Sequence, residues 1–192
     1  MSFEKMIINH IASQKKAGVE VAWSNSKLLK STTDKNGTIL SVNNDFIEIS
    51  GYSLEELIGK QHSLIRHPDM PKIIFKMMWE DLQYKKVAHV IVKNRCKSGD
   101  YFWSALEIKS NSDQEKVVTF SGQQSTVALA IITTKITPLY TKLLHLEQEN
   151  GIASSEGYLN DYLDEQNKFL IDLMDDWVFM DDPENTDDSE II

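Results

Sequence analysis

The spacing of hydrophobic residues changes several times along the chain, and each change predicts a different element. Phe3, Met6, Ile7 and Ile11 recur near helical spacing, which predicts a short amphipathic helix ending at Gly18. Such a helix can lie on the core of a domain as a cap, or it can pair with a second copy of the chain. The pattern is compatible with both arrangements.

Two strands and a tight turn are predicted from Lys30 onward, where the residues become polar and β-branched. The dipeptide Asn36-Gly37 is a strong signal for a hairpin turn between them. Two short helices follow in the pattern. An Asn/Asp cluster at 43–45 can cap the first, and a Ser-x-x-Glu capping box at 53–56 begins the second. Helices this short are stable only when they pack against a sheet.

Further strands are predicted after a stiff turn and a longer helix. Pro68 and Pro71 restrict the turn, and the helix that follows has a heavy apolar load. This order of strands, short helices and strands is an α+β pattern, with an antiparallel sheet and helices on one face. The later strands are predicted at residues 87–97, 101–109, 117–121 and 127–135.

The chain beyond residue 135 is predicted to be helical, with one interruption. Pro138 suits a first helical turn, a break is predicted at 151–157, and a last helix begins near Tyr158. The acidic end is predicted to be disordered. We therefore expect four parts, which are an N-terminal helical cap (1–29), a central α+β domain (30–136), a C-terminal helical segment (137–180) and an acidic disordered tail (181–192).

Composition narrows the class of protein. The chain has 192 residues, 41% of them hydrophobic, which fits one globular domain with appendages. No apolar run approaches the roughly 18 residues that a membrane span needs. The first residues make a poor signal peptide. Cys96 is the only cysteine, which excludes an internal disulfide framework and a cysteine-based zinc site. We therefore expect a cytoplasmic protein.

The net charge of −9 comes entirely from the last 21 residues of the chain. Residues 172–192 hold nine of the 29 acids and no Lys or Arg, so the rest has 20 acids and 20 bases. Neither part presents the basic surface that duplex binding requires, and nucleic acid is not expected as a partner. The sequence also lacks HExxH, P-loop and GxSxG motifs, so we expect no enzymatic activity.

The stretch from Ser31 to Lys109 resembles the PAS domain of the bacterial aerotaxis and energy-taxis receptors. ISGYS.EELIGK is a general PAS signature, whereas RHPDMP and VKNR.K.GDYFW are specific to this subgroup. ITPLY also looks like the family's exit from the domain. The segments that carry the resemblance are KSTTDKNGTILSVNNDFIEISGYSLEELIGKQHSLIRHPDMP, FKMMWEDL and VKNRCKSGDYFW.

The resemblance implies a PAS fold, with a five-stranded sheet whose concave face, closed by short helices, holds a small molecule. In this subgroup the ligand is FAD, whose redox state is passed to a signalling partner. The chain shows no transducer of its own, so the resemblance implies a separate signalling protein, contacted through the terminal helices. Carried over by position, the cofactor-binding candidates are Asn43, Arg66, His67, Asp69, Phe75, Trp79 and Asn94.

Each candidate also has a structural interpretation. Asp69 can brace Arg66 or cap a helix, and His67 can bond to the backbone of a turn. Phe75 and Trp79 are one helical turn apart, which is typical of core packing. Asn94 can hold a β-bulge.

One position departs from the family pattern. Ala88 stands where family members usually carry an aromatic residue, so one wall of the expected flavin cage is missing. The pocket can therefore take another ligand, bind flavin weakly or stay empty.

Three hypotheses about function remain open. The first is a flavin-dependent redox sensor, and the second is a cofactor-free PAS adaptor that dimerises or docks on a signalling protein. The third is a haem sensor, with His62, His67, His89 or His145 as an axial ligand. A light-driven cysteinyl–flavin adduct is not expected, because Cys96 is predicted at a strand end beside a hairpin turn.

Overall fold

The computed structural model describes residues 18–113 and 116–179, and its centre is a five-stranded sheet. The strands are β1 (Leu29–Asp34), β2 (Ile39–Val42), β3 (Val87–Arg95), β4 (Tyr101–Asp113) and β5 (Lys116–Ser125). They lie in the order β2-β1-β5-β4-β3, and every neighbouring pair is antiparallel. The predicted α+β class and the antiparallel sheet are confirmed.

Helices connect β2 to β3 and follow β5. Between β2 and β3 lie α1 (Asn44–Ser50), α2 (Leu54–Leu57), a 3₁₀ turn (His62–Ile65) and α3 (Lys72–Lys85). After β5, α4 (Leu129–Ile131) continues through a π-helical stretch (Ile132–Ile136) into α5 (Thr137–Asn150). The last two helices are α6 (Ile152–Gln166) and α7 (Leu170–Phe179).

The predicted caps of the two short helices are confirmed. The Asn43 side chain accepts a hydrogen bond from Phe46 N at 3.1 Å, and α1 ends at Gly51 with φ 71°. Ser53 and Glu56 form both bonds of a capping box at the start of α2. Local side-chain chemistry thus explains where both helices begin.

Two predictions about the later elements are wrong. Residues 127–135, predicted as a strand, belong largely to the helical segment, with Ile131, Ile132 and Ile136 buried at helical spacing. Thr134 satisfies its hydroxyl by donating to Ala130 O at 2.7 Å within the helix. The predicted break at 151–157 is a single residue, Gly151 (φ 80°), after which α6 begins at once.

The sheet has helices on both faces. Alternation along the strands turns Asn94 and Leu106 toward one face, which α3 covers, and Trp103 toward the other. On this second face the Tyr140 ring of α5 contacts Trp103, and its hydroxyl donates to Ile91 O at 2.6 Å. One hydrophobic cluster joins α3, β3 and α5–α7, and a second lies under α1 and α2.

An extended segment that begins at Gly18, the first described residue, precedes β1. Residues 18–28 contain no helix and run beside β4, where Val21 N donates to Tyr101 O at 2.7 Å. The helix predicted at residues 3–16 and the acidic tail predicted at 181–192 lie outside the described residues. Within the described ranges, no helix is long and apolar enough to cross a membrane.

Candidate ligand-binding cavity

A cavity of about 390 Å³ lies between the sheet and α3. This volume is within the range of small-molecule sites, which hold about 300–1,000 Å³. Residues from the sheet, the 3₁₀ turn and α3 line it together. They are Ser31, Thr33, Asn36, Gly37, Gln61, His62, Ser63, Arg66, Phe75, Met78, Trp79, Val92, Asn94, Leu106, Ile108, Phe120, Gly122 and Gln124.

The floor of the cavity has a buried polar network across three adjacent strands. Gln124 Oε1 accepts hydrogen bonds from Asn94 Nδ2 at 2.8 Å and from Ser104 Oγ at 2.6 Å. Asn94 Nδ2 also lies 3.2 Å from Ser104 Oγ. Asn94 is 5% exposed and Gln124 is 1% exposed, so the network is held inside the fold.

Two polar atoms of this network are left for a ligand. Asn94 Oδ1 and Gln124 Nε2 have no hydrogen-bond partner among the described residues. One is an acceptor and the other is a donor, in the assigned orientation of the two amides. The floor can therefore recognise a planar ring edge that alternates donors and acceptors.

Aromatic side chains of α3 form the opposite wall. The Trp79 ring packs edge-on against Phe120 of β5, with ring centroids 5.0 Å apart. The Arg66 guanidinium lies over the Phe75 ring, 3.7 Å from its centroid. Arg66 is fixed at this point because its backbone bridges to Asn94 of β3.

Arg66 brings a positive charge to the exposed rim of the cavity. It has no ion pair with any described residue. Partial burial lowers the pKa of Arg66, but a guanidinium stays protonated at neutral pH. An anionic group of a ligand is the natural counter-ion at this rim.

His62 stands in the cavity wall as a neutral ring. Its Nε2 lies 3.2 Å from Ser31 Oγ, and its ring packs edge-on against Phe46. Burial, and then the nearby charge of Arg66, lower the pKa of His62 from 6.5 to about 4. The wall is therefore uncharged at His62 under physiological conditions.

The structure brings four of the seven predicted site residues to the cavity, namely Arg66, Phe75, Trp79 and Asn94. The other three do not line it. Asn43 caps α1, and its amide bonds both Lys30 N and Leu28 O. His67 Nδ1 accepts from Asp69 N at 3.1 Å, and Asp69 pairs with Lys93 Nζ at 2.9 Å. Cofactor contact by these three stays a prediction that their placement does not support.

Three positions on β4 and β5 that shape the floor of the cavity are absent from the residues predicted from sequence. Ser104 and Gln124 complete the polar floor, and Gly122 opens it, because a Cβ there would lie 3.3 Å from Leu106 Cδ1. Alternation along β5, which turns residues 120, 122 and 124 to one face, is the signal that identifies this side of the strand. Because the strand is predicted to end at residue 121, Gly122 and Gln124 fall outside the alternating pattern.

Ala88 lies in the core near the cavity and not in its wall. Its side chain is fully buried in the cluster that contains Val90, Ile91 and Leu106. The absent aromatic residue therefore leaves a packed apolar position. It does not leave an opening in the wall.

Cys96, His89 and His145 lie away from the cavity. Cys96 follows β3, its thiol donates to Ile49 O at 3.3 Å, and burial raises its pKa to about 11. His89 lies on the other face of the sheet, between Asp175 and Glu107. His145 is exposed on α5. Of the predicted haem ligands, only His62 lines the cavity.

The antiparallel sheet, its helices and the cavity between them form a PAS fold. Residues 39–122 match the family described as the PAS fold. Over 75 residues, 39% of this chain, the sequence is 48% identical to the aerotaxis receptor of Escherichia coli. Over 160 residues, 77% of this chain, it is 26% identical to a blue-light photoreceptor of Listeria monocytogenes. Residues 39–122 of the chain therefore form a PAS domain.

Solved structures show the same fold. A light-oxygen-voltage domain studied with a flavin analogue matches 61% of this chain and 90% of its own, with a TM-score of 0.53 and 21% identity. A PAS domain from Colwellia psychrerythraea matches 63% of this chain and 97% of its own, with a TM-score of 0.50 and 16% identity. Against whole proteins the match is partial, since the chain spans 15% of the aerotaxis receptor and 63% of the Listeria photoreceptor.

Proposed function

We propose that the cavity binds the ring system of a flavin, with FAD as the cofactor, and that the module reports redox state to a separate signalling protein. The observation that carries this proposal is the buried floor, where Gln124 Nε2 and Asn94 Oδ1 offer a donor beside an acceptor. The polar edge of an isoalloxazine ring alternates acceptors with an N–H, so it suits such a floor.

The walls also suit a flat ring. Val92, Leu106 and Ile108 give an apolar surface on the sheet side, and Phe75 and Trp79 lie opposite. A cavity of about 390 Å³ is at the small end of ligand sites, so the ring fits inside while the adenine part of FAD lies beyond the rim.

Arg66 suits the phosphate groups of such a cofactor. Its guanidinium is at the rim and has no carboxylate partner among the described residues. Its planar fork can hold two oxygens of one phosphate at once. Stacking on Phe75 fixes the plane of the fork before the ligand arrives.

A bound flavin supplies a redox change that alters the protonation of its ring. Gln124 is the residue placed to respond, because its side-chain amide can present either Nε2 or Oε1 to the cavity. Turning that amide would break the bonds that Oε1 accepts from Asn94 and Ser104. The floor of the cavity thus has two arrangements that differ in hydrogen bonding.

The position of the one cysteine favours a redox signal over a light-driven adduct. The similarity to an aerotaxis receptor covers 75 residues at 48% identity. Several other relatives are blue-light photoreceptors. A cysteinyl adduct needs a thiol at the ring, and Cys96 is the only cysteine and does not line the cavity. We therefore propose a redox signal in place of an adduct.

The test is the absorbance spectrum of the purified protein, followed by chromatography of the cofactor released on denaturation. We expect the two bands of an oxidised flavin and the release of FAD. A sharp Soret band would support the haem hypothesis with His62 as ligand. A colourless, folded protein that does not take up added FAD would contradict the proposal and favour the cofactor-free adaptor.

The floor residues can be tested separately. Gln124→Leu and Asn94→Leu should each weaken flavin retention about 5- to 30-fold, because each removes a buried hydrogen bond to the ring, worth about 1–2 kcal/mol. Gln123→Leu is the matched control, since Gln123 is exposed on the other face of β5. Unchanged flavin occupancy in both floor variants would refute the assignment of the floor.

A further inference from the structure

Helix α3, which walls the cavity, lacks a cap of its own. Its N-cap residue is Pro71, which makes no side-chain cap bond, and the first N–H groups of a helix have no partners within it. Glu147 of α5 supplies acceptors for the first two of these N–H groups. Its Oε2 accepts from Lys72 N at 3.0 Å and its Oε1 accepts from Ile73 N at 2.9 Å. A residue 74 positions away in the chain thus caps α3.

The same carboxylate also holds α6. The Ser155 hydroxyl, which is fully buried, lies 3.3 Å from Glu147 Oε1 and shares its one proton between this oxygen and Ile152 O at 2.8 Å. Because the carboxylate faces the positive end of the α3 dipole, its charge strengthens the two backbone bonds. One side chain therefore joins three helices.

Other contacts attach the C-terminal helices to α3. Lys76 forms an ion pair with Glu156 of α6. At the far end of α3, Lys85 Nζ lies over the Phe169 ring, 4.5 Å from its centroid. Buried residues of α3 and α6 belong to the same hydrophobic cluster, and they include Ile73, Ile74, Leu159 and Leu163.

The cap lies close to the cavity along the helix. Phe75 follows Ile73 by two residues, and Met78 and Trp79 lie one turn further on. We expect a ligand that presses on these side chains to displace the first turn of α3. Hydrogen bonds weaken steeply with lost alignment, so such a displacement changes the bonds to Glu147.

We propose that Glu147 is a positioning residue that couples the cavity wall to α5 and α6, and that these two helices carry the output of the module. The coupling rests on the proposed function only for the identity of the ligand. The coupling passes from Phe75 and Trp79 to the first turn of α3. From there it passes to the Glu147 carboxylate, and so to α5 and α6.

Hydrogen exchange followed by mass spectrometry tests the coupling, with and without bound FAD. In the unaltered chain, loading with FAD should slow exchange severalfold in peptides covering 137–166. Glu147→Gln should retain FAD but lose this slowing of exchange. The glutamine amide has only one acceptor oxygen and no charge to offer the two N–H groups of α3. Glu149→Gln is the matched control, since Glu149 is on the same helix and pairs with exposed His145 at 3.3 Å. If Glu147→Gln should not fold, Glu147→Asp, which keeps the charge on a shorter side chain, takes its place.

A second arm does not depend on flavin. Gly122→Leu places a side chain on the cavity side of β5, and Ile108→Phe serves if that variant does not fold. Filling the cavity should alter exchange in 137–166 when Glu147 is present, and not in the Glu147→Gln background. Equal changes in both backgrounds, or no change in either arm, would overturn the coupling. Failure to bind FAD, with the second arm as expected, would refute only the choice of ligand.

Discussion

The ring of His62 illustrates how a single residue depends on the cavity around it. In the sequence it is one of five histidines. In the fold it lies beside Ser31 and near Arg66, where burial and the guanidinium charge lower its pKa to about 4. The unfolded chain returns the imidazole to its ordinary value of 6.5. Protons therefore bind the unfolded state more readily between these two values.

A pH dependence of stability follows from this difference. The contribution of neutral His62 is fully present above about pH 6.5, and up to about 3 kcal/mol is lost as the pH falls to about 4. Urea unfolding at pH 7 and at pH 4.5 measures the loss. His62→Gln should show a smaller loss between the two pH values, because Gln does not titrate. The exposed His145→Gln should keep the loss, and an equal loss in all three proteins would contradict the assignment.

At the scale of elements, the caps were predictable and the ends of strands were not. Asn43, Ser53 and Glu56 act on backbone groups within three residues, so their effect can be read locally. The run Ile131–Ile136 has the β-branched composition of a strand, yet it forms a helix. Burial of Ile131, Ile132 and Ile136 against the core decides this, because tertiary packing outweighs intrinsic propensity.

Two glycines with equal space around them should respond oppositely to alanine. A Cβ added at Gly157 or at Gly59 would meet nothing within 4 Å. Gly157 is inside α6, so Gly157→Ala should stabilise the fold by about 0.5–1 kcal/mol. Gly59 has φ +77°, so Gly59→Ala should destabilise by about 1 kcal/mol. The free energies of unfolding in urea test both, and the same sign for the two variants would contradict this account.

At the scale of the molecule, the C-terminal helices share their core with the PAS sheet. The larger hydrophobic cluster combines Ile74 and Ile91 with Leu139, Leu143 and Leu159. On this side of the sheet, His89 of β3 also contacts Asp175 of α7. The predicted boundary between residues 136 and 137 therefore runs through a continuous core.

Removal of the chain after residue 136 should consequently destabilise the sheet. It uncovers residues of α3 and β3 that share the core with these helices, including Ile73, Ile74 and Ile91, and exposing one such side chain costs about 1.5–3 kcal/mol. The loss of several such contacts is comparable with the whole stability of a typical domain, about 5–15 kcal/mol. We expect the shortened chain to be insoluble or to unfold near room temperature, as circular dichroism and thermal melting will show. Cooperative melting close to that of the full chain would contradict the shared core.

The sequence by itself determined the class of the fold, the caps, the hairpin turns and four cavity residues, because each rests on short-range backbone chemistry or on a recognisable motif. Only the tertiary structure decided which polar atoms meet. Asn94, Ser104 and Gln124 are 10–30 positions apart, and the register of three strands brings them into one network. Glu147 reaches α3 from still further away, since helix packing, which no local pattern encodes, sets that contact.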